Sequence, residues 1–107
     1  MIKSMVGIDI ADLSRITLHE GFINTVLTPE ERAQFDAKKT EKRKIEYLGG
    51  RFAAKEALYK ALQDKDYLHF SILNDENGKP YVKDHPEISV SISHDAGIAA
   101  AVVIVNN

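Results

Sequence analysis

Apolar and small or polar residues alternate between positions 5 and 10. Val6, Ile8 and Ile10 fall on one face of an extended strand, and Gly7 and Asp9 on the other. Asp12 or Ser14 is then placed to cap a short helix running through Arg15 to His19. Thr28-Pro29-Glu30-Glu31 is a stronger start signal. Threonine serves as N-cap, proline suits the first helical position and Glu31 closes a capping box, so a helix should follow through Phe35. The longest helical pattern covers residues 41–62, with an apolar stripe of Ile45, Leu48, Phe52, Tyr59 and Leu62. Gly49 and Gly50 interrupt it, each costing a helix about 1 kcal/mol relative to alanine. They mark either a break or a close approach by another backbone or a ligand.

The last third reads as strands. Residues 69–73 and Tyr81-Val82 flank a turn at Asn77-Gly78, two residue types that tolerate positive φ. From 88 to 93 isoleucine or valine alternates strictly with serine. Residues 97–105 are almost continuously apolar, the pattern of a central strand buried on both faces. A short turn at 94–97 should join these two strands. One strand, then helices, then an antiparallel meander predicts an α+β fold, with an antiparallel sheet packed against a long helix and shorter helices. At 107 residues the chain is expected to form a single domain, 1–107.

Composition narrows the chemistry. There are no cysteines, which excludes disulfides, thiolate metal sites and cysteine nucleophiles. The first seven residues lack the apolar core of a signal peptide. The apolar run at 98–105 is far short of the ~20 residues of a membrane-spanning helix. A cytoplasmic location without membrane attachment is expected. The formal net charge of −2 provides no global attraction to nucleic acid. Lys38, Lys39, Lys42, Arg43 and Lys44 nevertheless form a basic strip opposed only by Glu41. By itself the strip is either a solvated charged face or a local anion site.

Residues 50–60 carry the most chemistry. On a helix Glu56 and Lys60 share a face, as do Arg51 and Lys55, and Ala53, Ala54 and Ala57 leave room for a bulky group. A carboxylate beside three cations suits a polyphosphate and its metal, or it is a surface helix with ordinary ion pairs. Magnesium needs only one or two protein carboxylates, and Asp9 is a candidate second ligand. His94 sits at a strand end within reach of a bound anion, or is a turn histidine without function. His19, His69 and His85 lack zinc-type spacing, and no phosphate loop, nucleophile elbow or HExxH motif is present.

Taken in order, several of these pieces resemble the holo-acyl-carrier-protein synthase family of phosphopantetheinyl transferases. They are Gly7-Ile8-Asp9-Ile10 with Arg15, Glu41-Lys42-Arg43-Lys44, Gly50-Arg51-Phe52-Ala53-Ala54-Lys55-Glu56-Ala57 with Lys60, Asn77-Gly78-Lys79-Pro80-Tyr81, and Ser91-Ile92-Ser93-His94. The resemblance covers nearly the whole chain. It implies the 4′-phosphopantetheinyl transferase fold and magnesium-dependent transfer of the phosphopantetheine arm of coenzyme A to a serine of acyl carrier protein. That reaction releases 3′,5′-ADP and serves fatty acid biosynthesis. Asp9 and Glu56 would bind magnesium. Lys60 would contact phosphate and donate a proton to the leaving group, completing a catalytic set of Asp9, Glu56 and Lys60. Arg43, Arg51 and His94 would hold coenzyme A phosphates, and Arg15 with the basic strip would meet the acidic carrier protein. The short members of the family assemble as homotrimers with coenzyme A in clefts between subunits.

One departure stands out. Family members carry a Gly-rich turn soon after the position of Lys60, whereas here Ala61-Leu62-Gln63-Asp64-Lys65-Asp66-Tyr67-Leu68 runs without glycine to His69. Residues 82–87 are also short. These differences motivate an alternative, a non-catalytic module of the same fold that binds an acidic carrier protein. Nucleic-acid binding by the strip lacks interleaved aromatics.

Overall fold

The computed structural model describes residues 4–106. The expectation of no signal peptide rests partly on residues 1–3, which lie outside the described residues. Thr40 accepts a hydrogen bond from the Arg43 N–H (3.1 Å) and opens α3, Glu41–Leu62. This helix runs unbroken through Gly49 and Gly50. A Cβ at 49 would overlap the Leu13 side chain, and one at 50 would stand 3.0 Å from Ile92 Cγ2. The glycines therefore mark close approach rather than a break, and the neighbours are side chains. The same economy of space governs the buried face. Leu48, Ala53, Ala54 and Ala57 are completely enclosed, whereas Ile45, Phe52, Tyr59 and Leu62 of the expected stripe are half-buried. Small residues line the deepest face because a sheet lies directly on it.

That sheet contains β1 (Ser4–Asp12), β4 (Ile88–Asp95) and β5 (Ile98–Asn106), antiparallel in the order β1–β5–β4. Gly7 on β1 sits so close to α3 that a Cβ there would collide with the Ala57 carbonyl oxygen. Gly7→Ala is expected to destabilise the protein by about 1–3 kcal/mol through overpacking, read as a lower melting temperature. An unchanged melting temperature would contradict this crossing. Ala96 and Gly97, with φ of 51° and 79°, turn β4 into β5.

The central strand β5 is buried on one face only. Ala99, Ala101, Val103 and Val105 pack beneath α3, while Ile98 and Ile104 remain 45% and 41% exposed. This corrects the expectation of burial on both sides. On β1 the apolar face is also the outer one: Val6, Ile8 and Ile10 are more than half exposed, and Gly7 and Ala11 face the core. Ser89, Ser91 and Ser93 complete this outer face through their pairing with Ile104, Val102 and Ala100.

Asp12 does cap a helical turn, but the turn is only Leu13–Arg15. The helix expected through His19 does not form, since Ile16 turns extended and buries its side chain in the core. His19 instead accepts from the Gly21 N–H (3.1 Å) and caps α1, Glu20–Val26. The capping box of α2, Pro29–Asp36, forms as expected. A separate hairpin joins β2 (Ile72–Asn74) to β3 (Pro80–Val82). Its first strand begins later than 69, and only Gly78 in its turn takes positive φ (84°).

One ion pair ties these parts together. The carboxylate of Glu31 and the ammonium of Lys55, both buried, meet at 2.6 Å. Glu31 also accepts from the backbone N–H of Thr28 and of Ile72, and Lys55 also donates to the carbonyls of Val26 and Tyr67. Burial pushes the Lys55 ammonium down and the attraction of Glu31 opposes that shift.

Candidate active site

β1 lies across α3, so Asp9, two residues beyond Gly7 on the same face, arrives beside the second half of the helix. There Lys60 donates to Asp9 Oδ1 at 3.1 Å and to the Ile8 carbonyl at 2.9 Å. Glu56 is one helical turn from Lys60 on the same face. The phenol of Tyr67 senses both acids. Its pKa is raised, chiefly by burial, then by the charge and hydrogen-bonding capacity of Glu56, and further by Asp9. Asp9, Glu56 and Lys60 thus lie in one cluster, a convergence that their spacing in the sequence does not show. Asp9 is largely covered and Lys60 is exposed.

The second group stands elsewhere. Arg43, Arg51 and His94 line one cleft of about 180 Å³, together with Lys38, Glu46 and Tyr47. His94 Nδ1 lies 3.5 Å from a Glu46 oxygen. Arg51 is buried, donating to the Ile72 carbonyl (2.8 Å) and to Asn74 Oδ1 (2.6 Å), with its guanidinium 4.1 Å from the centre of the Tyr47 ring. Burial lowers the pKa of this guanidinium and raises the Tyr47 phenol to about 12. Arg43 and Glu56 are separated by about 20 Å along the helix, at 1.5 Å per residue. Among the described residues, the cleft lined by Arg43, Arg51 and His94 does not include Asp9, Glu56 or Lys60.

Two sequence readings need correction. Lys55 is no phosphate ligand in waiting: it is committed to Glu31 inside the core. The basic strip is not uniformly free either. Lys44 donates to the Phe35 and Asp36 carbonyls at the end of α2, and Lys38 lies over the Tyr47 ring. Arg15, Lys39, Lys42 and Arg43 remain exposed. Tyr67 went unnoticed in the sequence, because no spacing rule links a loop tyrosine to Glu56. The capping box did flag Glu31, but gave no sign of its burial.

Among the described residues no helix is long and apolar enough to cross a membrane. A family model described as the 4′-phosphopantetheinyl transferase superfamily matches residues 5–103. The holo-[acyl-carrier-protein] synthase of Geobacillus sp. (strain WCH70) is 43% identical over 112 residues, covering 94% of this chain and 93% of the relative. The crystal structure of the Bacillus anthracis holo-(acyl-carrier-protein) synthase in complex with CoA (3′,5′-ADP) aligns with a TM-score of 0.85 at 35% identity, covering 96% of each chain. The Helicobacter pylori holo-[acyl-carrier-protein] synthase in complex with coenzyme A aligns with a TM-score of 0.77 at 33% identity, covering 96% of this chain and all of that one. A family match spanning nearly the whole chain, close relatives and shared architecture agree: this chain belongs to the 4′-phosphopantetheinyl transferase superfamily, among its holo-[acyl-carrier-protein] synthases.

Proposed function

We propose that the chain, acting as one domain, transfers 4′-phosphopantetheine from coenzyme A to a serine of apo acyl carrier protein. The reaction is magnesium-dependent, releases 3′,5′-ADP and serves fatty acid biosynthesis in the cytoplasm. The observation that carries this reading is the Lys60 ammonium bonded to Asp9 one turn from Glu56. Two hard oxygen donors and an adjacent ammonium match a diphosphate and a divalent cation. Asp9 already binds a positive group, and magnesium asks for no more than one or two protein carboxylates. Asp9 and Glu56 would hold the ion. The chemistry it supplies is neutralisation of charge growing on the bridging oxygen of the diphosphate.

In the reaction the serine Oγ–phosphorus bond forms and the phosphorus–oxygen bond to the departing nucleotide breaks. The serine proton passes to water, and Lys60 donates to the leaving phosphate. Arg43, Arg51 and His94 hold the nucleotide phosphates. Arg51 is already fixed by Ile72 and Asn74, so little rotamer freedom is lost on binding. Because the two groups lie apart in one chain, assembly is part of the proposal. The uncovered face of Val6, Ile8, Ile10, Val102 and Ile104 packs against further copies in a homotrimer. The basic cleft of one subunit then faces the Asp9–Glu56–Lys60 cluster of its neighbour. Arg15, Lys39 and Lys42 meet the acidic carrier protein, an attraction that weakens with salt.

The test is intact-mass spectrometry of apo carrier protein incubated with the enzyme, coenzyme A and magnesium. A gain of one phosphopantetheine per carrier is expected. Carrier binding with no mass change would instead support the non-catalytic module, which the glycine-free loop at 63–68 favours.

A further inference from the structure

The segment after α3 is held at many points. Gln63 ends the helix in the left-handed conformation (φ 60°), and its N–H bonds the Tyr59 carbonyl at 2.6 Å. Asp64 accepts from the Asp66 N–H, Asp66 accepts from the Leu68 N–H, and the His69 imidazole pairs with Asp64. The firmest anchor is Lys55, whose ammonium reaches out of the core to the Tyr67 carbonyl at 2.6 Å. That bond fixes the backbone of Tyr67 beside the residue preceding Glu56. The Tyr67 ring lies 6.0 Å from the Phe52 ring, and Phe52 is one turn before Glu56 on the same helix face. The Tyr67 backbone is thus held by Lys55 while its ring lies against the helix face that also carries Glu56.

We propose that Tyr67 is a positioning residue for the Glu56 carboxylate, oriented by Lys55 through the Tyr67 carbonyl. A phenol that donates to one carboxylate oxygen leaves the other free and fixes the direction of its lone pairs. Groups of this kind around metal-binding carboxylates are worth about 10–100-fold in metal affinity. The inference rests on the reading of Asp9 and Glu56 as cation ligands, and the experiment separates the two.

Manganese(II) is titrated into wild-type protein, Tyr67→Phe and Tyr81→Phe, and the free ion is followed by electron paramagnetic resonance. Tyr81 is an exposed tyrosine on β3 and serves as control. Wild type and Tyr81→Phe should bind alike. Tyr67→Phe should bind about tenfold more weakly, with its melting temperature nearly unchanged. In transfer assays Tyr67→Phe should lose kcat while KM for coenzyme A stays constant. Equal manganese affinity in wild type and Tyr67→Phe would overturn the inference and leave the ligand reading intact. No binding by wild type would overturn both. If Tyr67→Phe loses stability rather than affinity, Tyr67 is merely a packing residue.

Discussion

Asp9→Ala and Glu56→Ala should each reduce phosphopantetheine transfer by at least about two to three orders of magnitude, the scale seen when one electrostatic stabiliser of a transition state is removed. Either change deletes one of two oxygen donors and leaves Lys60 with a single acid to face. Neither residue is part of the apolar core. The folded state should therefore survive, with a melting temperature within a few degrees of wild type by circular dichroism. Addition of excess magnesium should restore part of the activity if the lost donor acts through ion affinity. Full activity of either variant in the presence of a chelator would refute the assignment.

Lys55→Ala should have the largest effect on stability. It strands the Glu31 carboxylate, which is completely buried, and removes donors from the Val26 and Tyr67 carbonyls. Breaking one side of a buried pair costs about 3–5 kcal/mol. A domain of this size is stable by only about 5–15 kcal/mol. A fall in melting temperature of more than about 10 °C is expected. The double variant Glu31→Leu/Lys55→Met should recover much of the loss, because two apolar side chains replace two desolvated charges. A double variant no more stable than Lys55→Ala would show that the other bonds of Glu31 and Lys55 matter more than their charges.

These two residues also show what was legible in the chain and what was not. Thr28, Pro29 and Glu31 announce α2 because capping is local chemistry. The strict alternation at 88–93 likewise announces β4. The partner of Glu31 is far along the sequence, and no local pattern reports a contact of that range. Lys55 therefore looked like another cation beside Glu56. In fact α3 points Glu56 and Lys60 outward and Lys55 inward. The same limit applies to β5. Its unbroken apolar run signals burial on both faces, but among the described residues one face packs into the core beneath α3 while Ile98 and Ile104 stay exposed on the other. An interface with other copies leaves the same hydrophobic signature as a core. Residues 16–19 failed as a helix because the burial of Ile16 outweighs their weak local preference. The convergence of Asp9 and Glu56 could be expected only through family resemblance, since it depends on how β1 crosses α3 at Gly7.

The most direct test is crystallographic. Crystals grown with coenzyme A and manganese in place of magnesium should show one anomalous peak per subunit within bonding distance of both the Asp9 and Glu56 carboxylates. A peak held by only one of them, or an ion bound to coenzyme A with neither carboxylate near, would contradict the shared site.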